Sequence, residues 1–428
     1  MKKVIPTHEH SDLHLKDSDK LDKNDIEVLE RACKLKMIRK IAYGYKTEKF
    51  VGLLPLHSRS LEILPKIFKG ESDEERSRNR MALLRILAFV NELPIKESDV
   101  VGKNVEKYDF FEIMRYLFAK NLMDELQRGV NRSYETIERN EFFLKGKLII
   151  LENMRRNSIL KNRFYLCYDE FTEDNSLNRV LNYVVKNMIC SAGNLSRHYL
   201  MELSSAFSDV ELDPEVIRNV DKITLNRINA RFWPHFQMAK MFLGKQISTV
   251  YSGHDIETYN FLFDMEKLFE SFVGDFLQKR GRSIFKSIVL DVRSQQRQFF
   301  GQVSIKPDIL IRLDRQIIVV DTKYTGIPTD EDSKNSHLYQ IYAYCMRQKQ
   351  YYRGKEVSGV LLYPKHLDEN EKNNQKNELE PICVGKDNDE LSVIVHRKLL
   401  DLRAGSHDFK DHFIDEFQKI FSEVVGAD

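Results

Sequence analysis

From Phe50 to Ile67 the chain runs FVGLLPLHSRSLEILPKI, two apolar stretches broken by His57-Ser58-Arg59-Ser60, which predicts a β-hairpin. The period then lengthens. Between Glu74 and Leu93, Leu83, Ile86, Leu87 and Val90 recur at i, i+3, i+4 and i+7, the spacing of an amphipathic helix. Further helices are predicted over 110–126, 177–190, 195–206 and 228–243. From about residue 250 the pattern becomes helix, strands, helix, strand. Its first helix carries the stripe Phe261, Met265, Leu268, Phe269, Phe272, Val273 and Phe276. Two β-rich runs in KPDILIRLDRQIIVVDTKYTG then meet at a polar turn, Asp314-Arg315, and VSGVLLY, ending at Tyr363, reads as a buried strand. The expected fold is α/β and multidomain: a small β-rich N-terminal domain over 1–72, a mainly helical region over 73–250, and a C-terminal domain over 251–428 with a mixed sheet flanked by helices.

A chain of 428 residues exceeds the roughly 250 to 300 over which one core grows, which agrees with that division. Hydrophobic residues at 42% and charged residues at 31% are those of a soluble globular protein, and no run approaches the length of a membrane helix. The net charge of +2 neither favours nor excludes a polyanion, so any nucleic-acid contact must come from local clustering. One such cluster is the segment 128–163, where Arg128, Arg132, Arg139, Lys145, Lys147, Arg155, Arg156, Lys161 and Arg163 outnumber the acidic residues. On charge alone a solvated face is the favoured reading. The five cysteines are scattered without a CxxC pair, which argues against a thiolate zinc site or a disulfide framework and points to a reducing cytoplasm. Residues 1–30 are charge-rich; His8, His10 and His14 stand there beside Glu9 and Asp12, and are expected to be solvated on a mobile terminus rather than metal-bound, since no second ligand cluster follows.

The candidate chemistry lies in the second hairpin. Side chains alternate along a strand, so Asp308, Leu310 and Arg312 share one face of the first strand, and Asp321 and Lys323 one face of the second. Asp321 closes IIVV, a run suited to a strand buried on both faces, where an aspartate and a lysine need a reason to be. Two carboxylates and an ammonium that converge suit phosphodiester hydrolysis. Mg²⁺, or Mn²⁺, held by Asp308 and Asp321 polarises the phosphate and lowers the pKa of a bound water, and Lys323 positions that water. The main-chain carbonyl of Thr322 is a further candidate ligand. Glu270 and Glu266 flank the upstream helical stripe, Glu270 being the better placed as a third carboxylate. Downstream, His337, Gln340 and Tyr344 fall on one face of a predicted helix whose adjoining stripe is Leu338, Ile341 and Cys345, so Gln340 and Tyr344 can face phosphate oxygens or a base.

The Pro307-Asp308 start, the D-x-K at Asp321 to Lys323, the Q-x-x-x-Y at Gln340 to Tyr344 and the upstream helix with Glu270 together resemble the PD-(D/E)xK nuclease superfamily, especially its RecB-like branch. More narrowly, DTKY followed by HLYQIYAY and GVLLYP is similar to McrC, the nuclease subunit of McrBC-type modification-dependent restriction systems. FLKGKL at Phe143 to Leu148 and FTEDNSLNRVL at Phe171 to Leu181 resemble segments of the same family. The resemblance implies that Asp308, Asp321 and Lys323 are the catalytic set of a Mg²⁺-dependent DNA endonuclease. It also implies a partner, a McrB-like AAA+ GTPase expected as a hexameric ring, which recognises modified double-stranded DNA, binds GTP and translocates, and which the region before the nuclease domain engages. The absence of a GxxxxGK[ST] motif agrees with GTP being bound elsewhere. Two other readings remain open: a stand-alone repair or defence nuclease of the same superfamily, and an adaptor that keeps the fold without cutting.

Overall fold

The computed structural model describes residues 3–13, 21–57, 59–93, 108–159, 161–243, 261–285, 289–293, 297–300, 303–367, 380–385, 392–404 and 409–425. The chain divides into two compact units, one built mainly from Tyr108–Phe261, the other from Lys2–Glu92 with Leu262–Asp428. Residues 1–72, expected as a domain of their own, thus pack for the most part in the same unit as the C-terminal region. The reason is visible in the sheet: the strand Phe261–Asp264, which leads into the C-terminal region, adds to the edge of the N-terminal hairpin.

That hairpin is the predicted one, with strands Phe50–Pro55 and Arg59–Leu64 paired antiparallel. Its register pairs Leu54 with Leu61 and Gly52 with Ile63. A further strand, Lys3–His8, lies parallel to Arg59–Leu64. The expectation of a mobile terminus is therefore corrected: KVIPTH is taken up as a sheet strand, because the edge of Arg59–Leu64 offers its backbone a parallel partner. Glu9, immediately after it, is fully buried. His8 is partly buried, His10 is exposed, and His14 lies outside the described residues. A helix, Lys23–Lys34, follows; Asp22 caps it by accepting from the Asp25 N–H. Asp73–Asn91 begins with a complete Ser72/Glu75 capping box, matching the helix expected from the leucine spacing.

The C-terminal part is a mixed six-stranded sheet. Its order is Val289–Arg293, Ile309–Leu313, Gln316–Thr322, Glu356–Pro364, Val393–Leu400, Ile382–Val384. The hairpin at Asp314-Arg315 is antiparallel, whereas Gln316–Thr322, Glu356–Pro364 and Val393–Leu400 run parallel. The parallel crossover is the helix Glu331–Tyr351, which sets Ile341 and Cys345 on a core of Leu310, Ile317, Val319, Val357, Leu361 and Val395. Gly359 lets this helix approach the sheet, since a Cβ there would stand 3.0 Å from the Ile341 side chain and 3.1 Å from Cys345 Sγ. Against other parts of the sheet pack the helices Met265–Ile284 and Phe409–Val425, joined by an aromatic cluster in which Phe272 meets Phe413 at 4.8 Å and Phe276 meets Phe417 at 5.4 Å.

The other unit is largely helical, with Phe110–Leu126, Ser176–Ile189, Arg197–Ala206 and Trp233–Phe242 close to their predicted spans. The basic segment is not helical throughout. Ser133–Glu141 and Phe164–Thr172 form a long antiparallel pair over nine residues each, with Lys147–Leu148 on the far side and the short helix Ile150–Arg156 between. Among the described residues no helix is long and apolar enough to cross a membrane.

Candidate functional site

The Asp314-Arg315 hairpin places Asp308 against Asp321. Ile309 pairs with Val320 and Leu310 with Val319, so one step further the register sets Asp308 opposite Asp321, where the ladder opens. Asp308 Oδ2 accepts from the Thr322 N–H at 2.7 Å and from the Thr322 hydroxyl at 2.8 Å. Alternation sends Asp321 and Lys323 to the face that holds Ile317 and Val319, where the crossover helix lies. Lys323 Nζ stands 2.8 Å from Asp321 Oδ2 and donates to Gln340 Oε1 at 2.9 Å. Gln340 Nε2 donates in turn to the Tyr344 hydroxyl at 2.9 Å. Because Gln340 and Tyr344 are one helical turn apart, a single helix face supplies this chain.

Asp321 is fully buried, and neither of its oxygens has a hydrogen-bond partner among the described residues, Oδ2 being ion-paired with Lys323. Burial first, and the Asp308 carboxylate second, push its pKa up to about 6, with Lys323 pulling the other way. Burial tends to lower Lys323, but Asp321 and Asp308 more than offset it, so its ammonium is held above the ordinary lysine value. Glu270 is half-buried on the helix Met265–Ile284. Burial, then Asp308, and more weakly Asp321, raise it to about 7, with Lys306 opposing. That influence places Glu270 in the electrostatic field of both aspartates. Glu266 is instead paired with Lys49, which also meets Asp264 at 3.3 Å.

Asp308, Asp321, Thr322, Lys323, Gln340 and Tyr344 are thus brought together, with Glu270 beside them through its charge. His337 turns aside: its Nδ1 meets the Tyr363 hydroxyl at 3.0 Å. Arg312, placed by alternation on the Asp308 face, lies over the Tyr352 ring at 5.3 Å. Among the described residues no three His, Cys, Asp or Glu side chains form a metal-sized group. Two carboxylates and main-chain oxygen are still a sufficient donor set for Mg²⁺, which keeps most of its waters and prefers hard oxygen ligands. A buried carboxylate oxygen left without a donor, opposite a second carboxylate, fits such a cation. Sequence reasoning missed Glu9 and Tyr324, whose side chains meet behind the site. The signals for them were slight: a tyrosine directly after D-T-K, and an acid between two histidines near the start of the chain.

The sequence profile of the family described as McrBC 5-methylcytosine restriction system component matches residues 45–364, a span that contains the whole of this site. No curated protein sequence matches the chain. Among solved structures, a chain from the refined half-complex of a tetradecameric assembly of Thermococcus gammatolerans McrB AAA+ hexamers with bound McrC is 23% identical. That match has a TM-score of 0.69 and covers 98% of this chain and all of the other. A chain from the cryo-EM structure of the Thermococcus gammatolerans McrBC complex is 26% identical, with a TM-score of 0.51, over 67% of this chain and 90% of that one. With three quarters of its length inside the family profile, this chain belongs to the McrBC 5-methylcytosine restriction system component family.

Proposed function

We propose that this chain is the McrC-type nuclease subunit of a McrBC-like restriction complex, a Mg²⁺-dependent endodeoxyribonuclease of the PD-(D/E)xK kind. The observation that carries the reading is the buried Asp321, opposite Asp308 in strand register and ion-paired with Lys323, with neither oxygen accepting a hydrogen bond among the described residues. A divalent cation there would be held by Asp308, Asp321 and the Thr322 carbonyl, with Glu270 as the further carboxylate. When bound, it supplies charge stabilisation at the phosphate and a water of lowered pKa. The protein's own groups do the rest. Thr322 fixes one oxygen of Asp308. Gln340 accepts one of the three donors of Lys323 and Asp321 pairs with its charge, which leaves donor capacity for the scissile phosphate or its attacking water. Tyr344 holds Gln340 in the orientation that accepts from Lys323.

The partner follows from the family and from the matched complexes of McrB AAA+ hexamers. We assign its contact to the long hairpin and short helix of the helical unit. There Leu151 is 81% exposed and Ile159 90%, beside exposed Phe142, Phe143, Leu144 and Met154 and the basic residues of 128–163. So much bare apolar surface on one small element marks a protein interface. GTP binding and recognition of modified DNA belong to that partner in this reading. The five cysteines are all unpaired, which suits a reducing cytoplasm.

The test is cleavage of modified double-stranded DNA by the complex reconstituted with a McrB-like GTPase, GTP and Mg²⁺. Asp308→Ala and Lys323→Ala are expected to abolish cutting while partner binding and GTP turnover persist. Undiminished cutting by either variant refutes the assignment, and full activity of the chain alone without GTP replaces it with a stand-alone nuclease.

A further inference from the structure

Tyr324 follows Lys323 in the chain, and strand alternation sends its side chain to the opposite face. There its ring meets Phe269 at 5.8 Å, the residue before Glu270. Its hydroxyl donates to Glu9 Oε1 at 2.9 Å and lies 3.2 Å from His366 Nε2. Glu9 is itself tied to the N-terminal sheet. Its N–H continues the parallel pairing to the Leu64 carbonyl at 2.9 Å, and the Lys66 N–H donates to the same Oε1 at 3.0 Å. One carboxylate oxygen therefore joins the sheet of residues 3–64 to the strand end that carries Asp321, Thr322 and Lys323.

This is an expensive joint if packing is its only purpose. Glu9 is fully buried, and its Oε2 has no hydrogen-bond partner among the described residues. Burial pushes its carboxyl up to about 7 against the pull of the Lys66 N–H and the Tyr324 hydroxyl. An apolar side chain of the same size would avoid that cost. What a leucine cannot do is fix the direction of Tyr324. We infer that Glu9 is a positioning residue for the proposed nuclease centre: through Tyr324 it holds the Asp321–Lys323 strand end, and through the Phe269 contact it sets the helix that bears Glu270. The N-terminal sheet thereby acts as a support of the metal site. This rests on the nuclease reading above.

The experiment compares Glu9→Leu, Glu9→Gln, Tyr324→Phe and the Glu9→Leu/Tyr324→Phe double variant in the full chain. Two quantities are read: cleavage rate at saturating Mg²⁺ in the reconstituted complex, and Mn²⁺ affinity of the full chain by paramagnetic resonance, which needs no activity. Outer-shell supports of a metal site are worth roughly 10- to 100-fold, so losses of that order are expected for Glu9→Leu and Tyr324→Phe in rate, metal affinity or both. Glu9→Gln should restore both, because its amide oxygen accepts the same two donors. The double variant should lose no more than the worse single one, and stimulation of the partner's GTP turnover should not change. Wild-type rate and Mn²⁺ affinity in Glu9→Leu and Tyr324→Phe overturn the inference, as do losses that simply multiply. Should Glu9→Leu fail to fold, Tyr324→Phe decides alone. Asp308→Ala run alongside separates the two claims: if it still cuts, the nuclease reading has failed, and if it is dead while Tyr324→Phe is normal, only the positioning role has.

Discussion

Asp321→Asn should make the metal-free protein more stable while destroying its proposed activity. In the fold the Asp321 carboxyl sits at about 6 instead of 3.8, burial being the main cause and Asp308 the next. At about 1.4 kcal/mol per pH unit, ionising it in place costs roughly 3 kcal/mol more than in the unfolded chain, the favourable Lys323 contact included. Because this pKa is raised on folding, the stability associated with the protonated form is fully present below pH 4 and is lost as pH rises through 6. An asparagine is close in shape to the neutral acid and escapes that loss. The variant is therefore expected to match the wild type near pH 4 and to exceed it by up to about 3 kcal/mol at pH 8 in EDTA. The gap is to be read from denaturant-dependent hydrogen exchange of the Gln316–Thr322 strand, which reports on its own unit of the two. Adding Mg²⁺ at pH 8 should close the gap by stabilising the wild type alone, since the cation neutralises the charges that burial penalises. A variant less stable than wild type at pH 8, a gap independent of pH, or equal stabilisation of both proteins by Mg²⁺ would refute the reasoning.

Two further outcomes follow from other parts of the molecule. Arg80 meets the fully buried Glu62 through Nε at 2.8 Å and Nη2 at 2.7 Å, so Arg80→Ala removes two charge-assisted hydrogen bonds from a buried carboxylate and should destabilise the N-terminal sheet by about 3–5 kcal/mol in chemical denaturation, whereas a loss under 1 kcal/mol would show the pair to be dispensable. On the helical unit, Leu151→Glu with Ile159→Glu touches side chains 81% and 90% exposed; unfolding should shift by no more than about 0.5 kcal/mol while binding to the GTPase partner, followed by gel filtration and GTP turnover, weakens at least about tenfold.

Much of the candidate site was legible because its geometry is local. Asp321 and Lys323 share a face through the pleat of one strand, and Gln340 and Tyr344 share one through a single helical turn; spacing in the chain is enough for both. The Asp314-Arg315 turn sets the register that brings Asp308 opposite Asp321. Glu270 was a less direct case. The helical stripe located its helix, but only the packed structure puts it within the influence of Asp308 and Asp321, while Glu266, one turn earlier, also acts on Asp321 but is paired with Lys49.

The N-terminal segment shows the limit most clearly. By composition KVIPTHEHSD looks like a solvated tail, yet Lys3–His8 becomes a strand and Glu9 a buried acid, because a sheet edge formed by Arg59–Leu64 was there to receive them. The basic run over 128–163 suggested charge, and the structure added that apolar side chains stand exposed among it, on the hairpin and on the short helix Ile150–Arg156. The sequence by itself determined which residues share a face and where elements begin, since backbone period, capping and turn chemistry act over a few residues. Only the tertiary structure decided that the first strand joins the hairpin and that Glu9 closes on Tyr324, 315 positions away. Such contacts depend on which surfaces remain to be buried once the local elements have formed, and no local period records that.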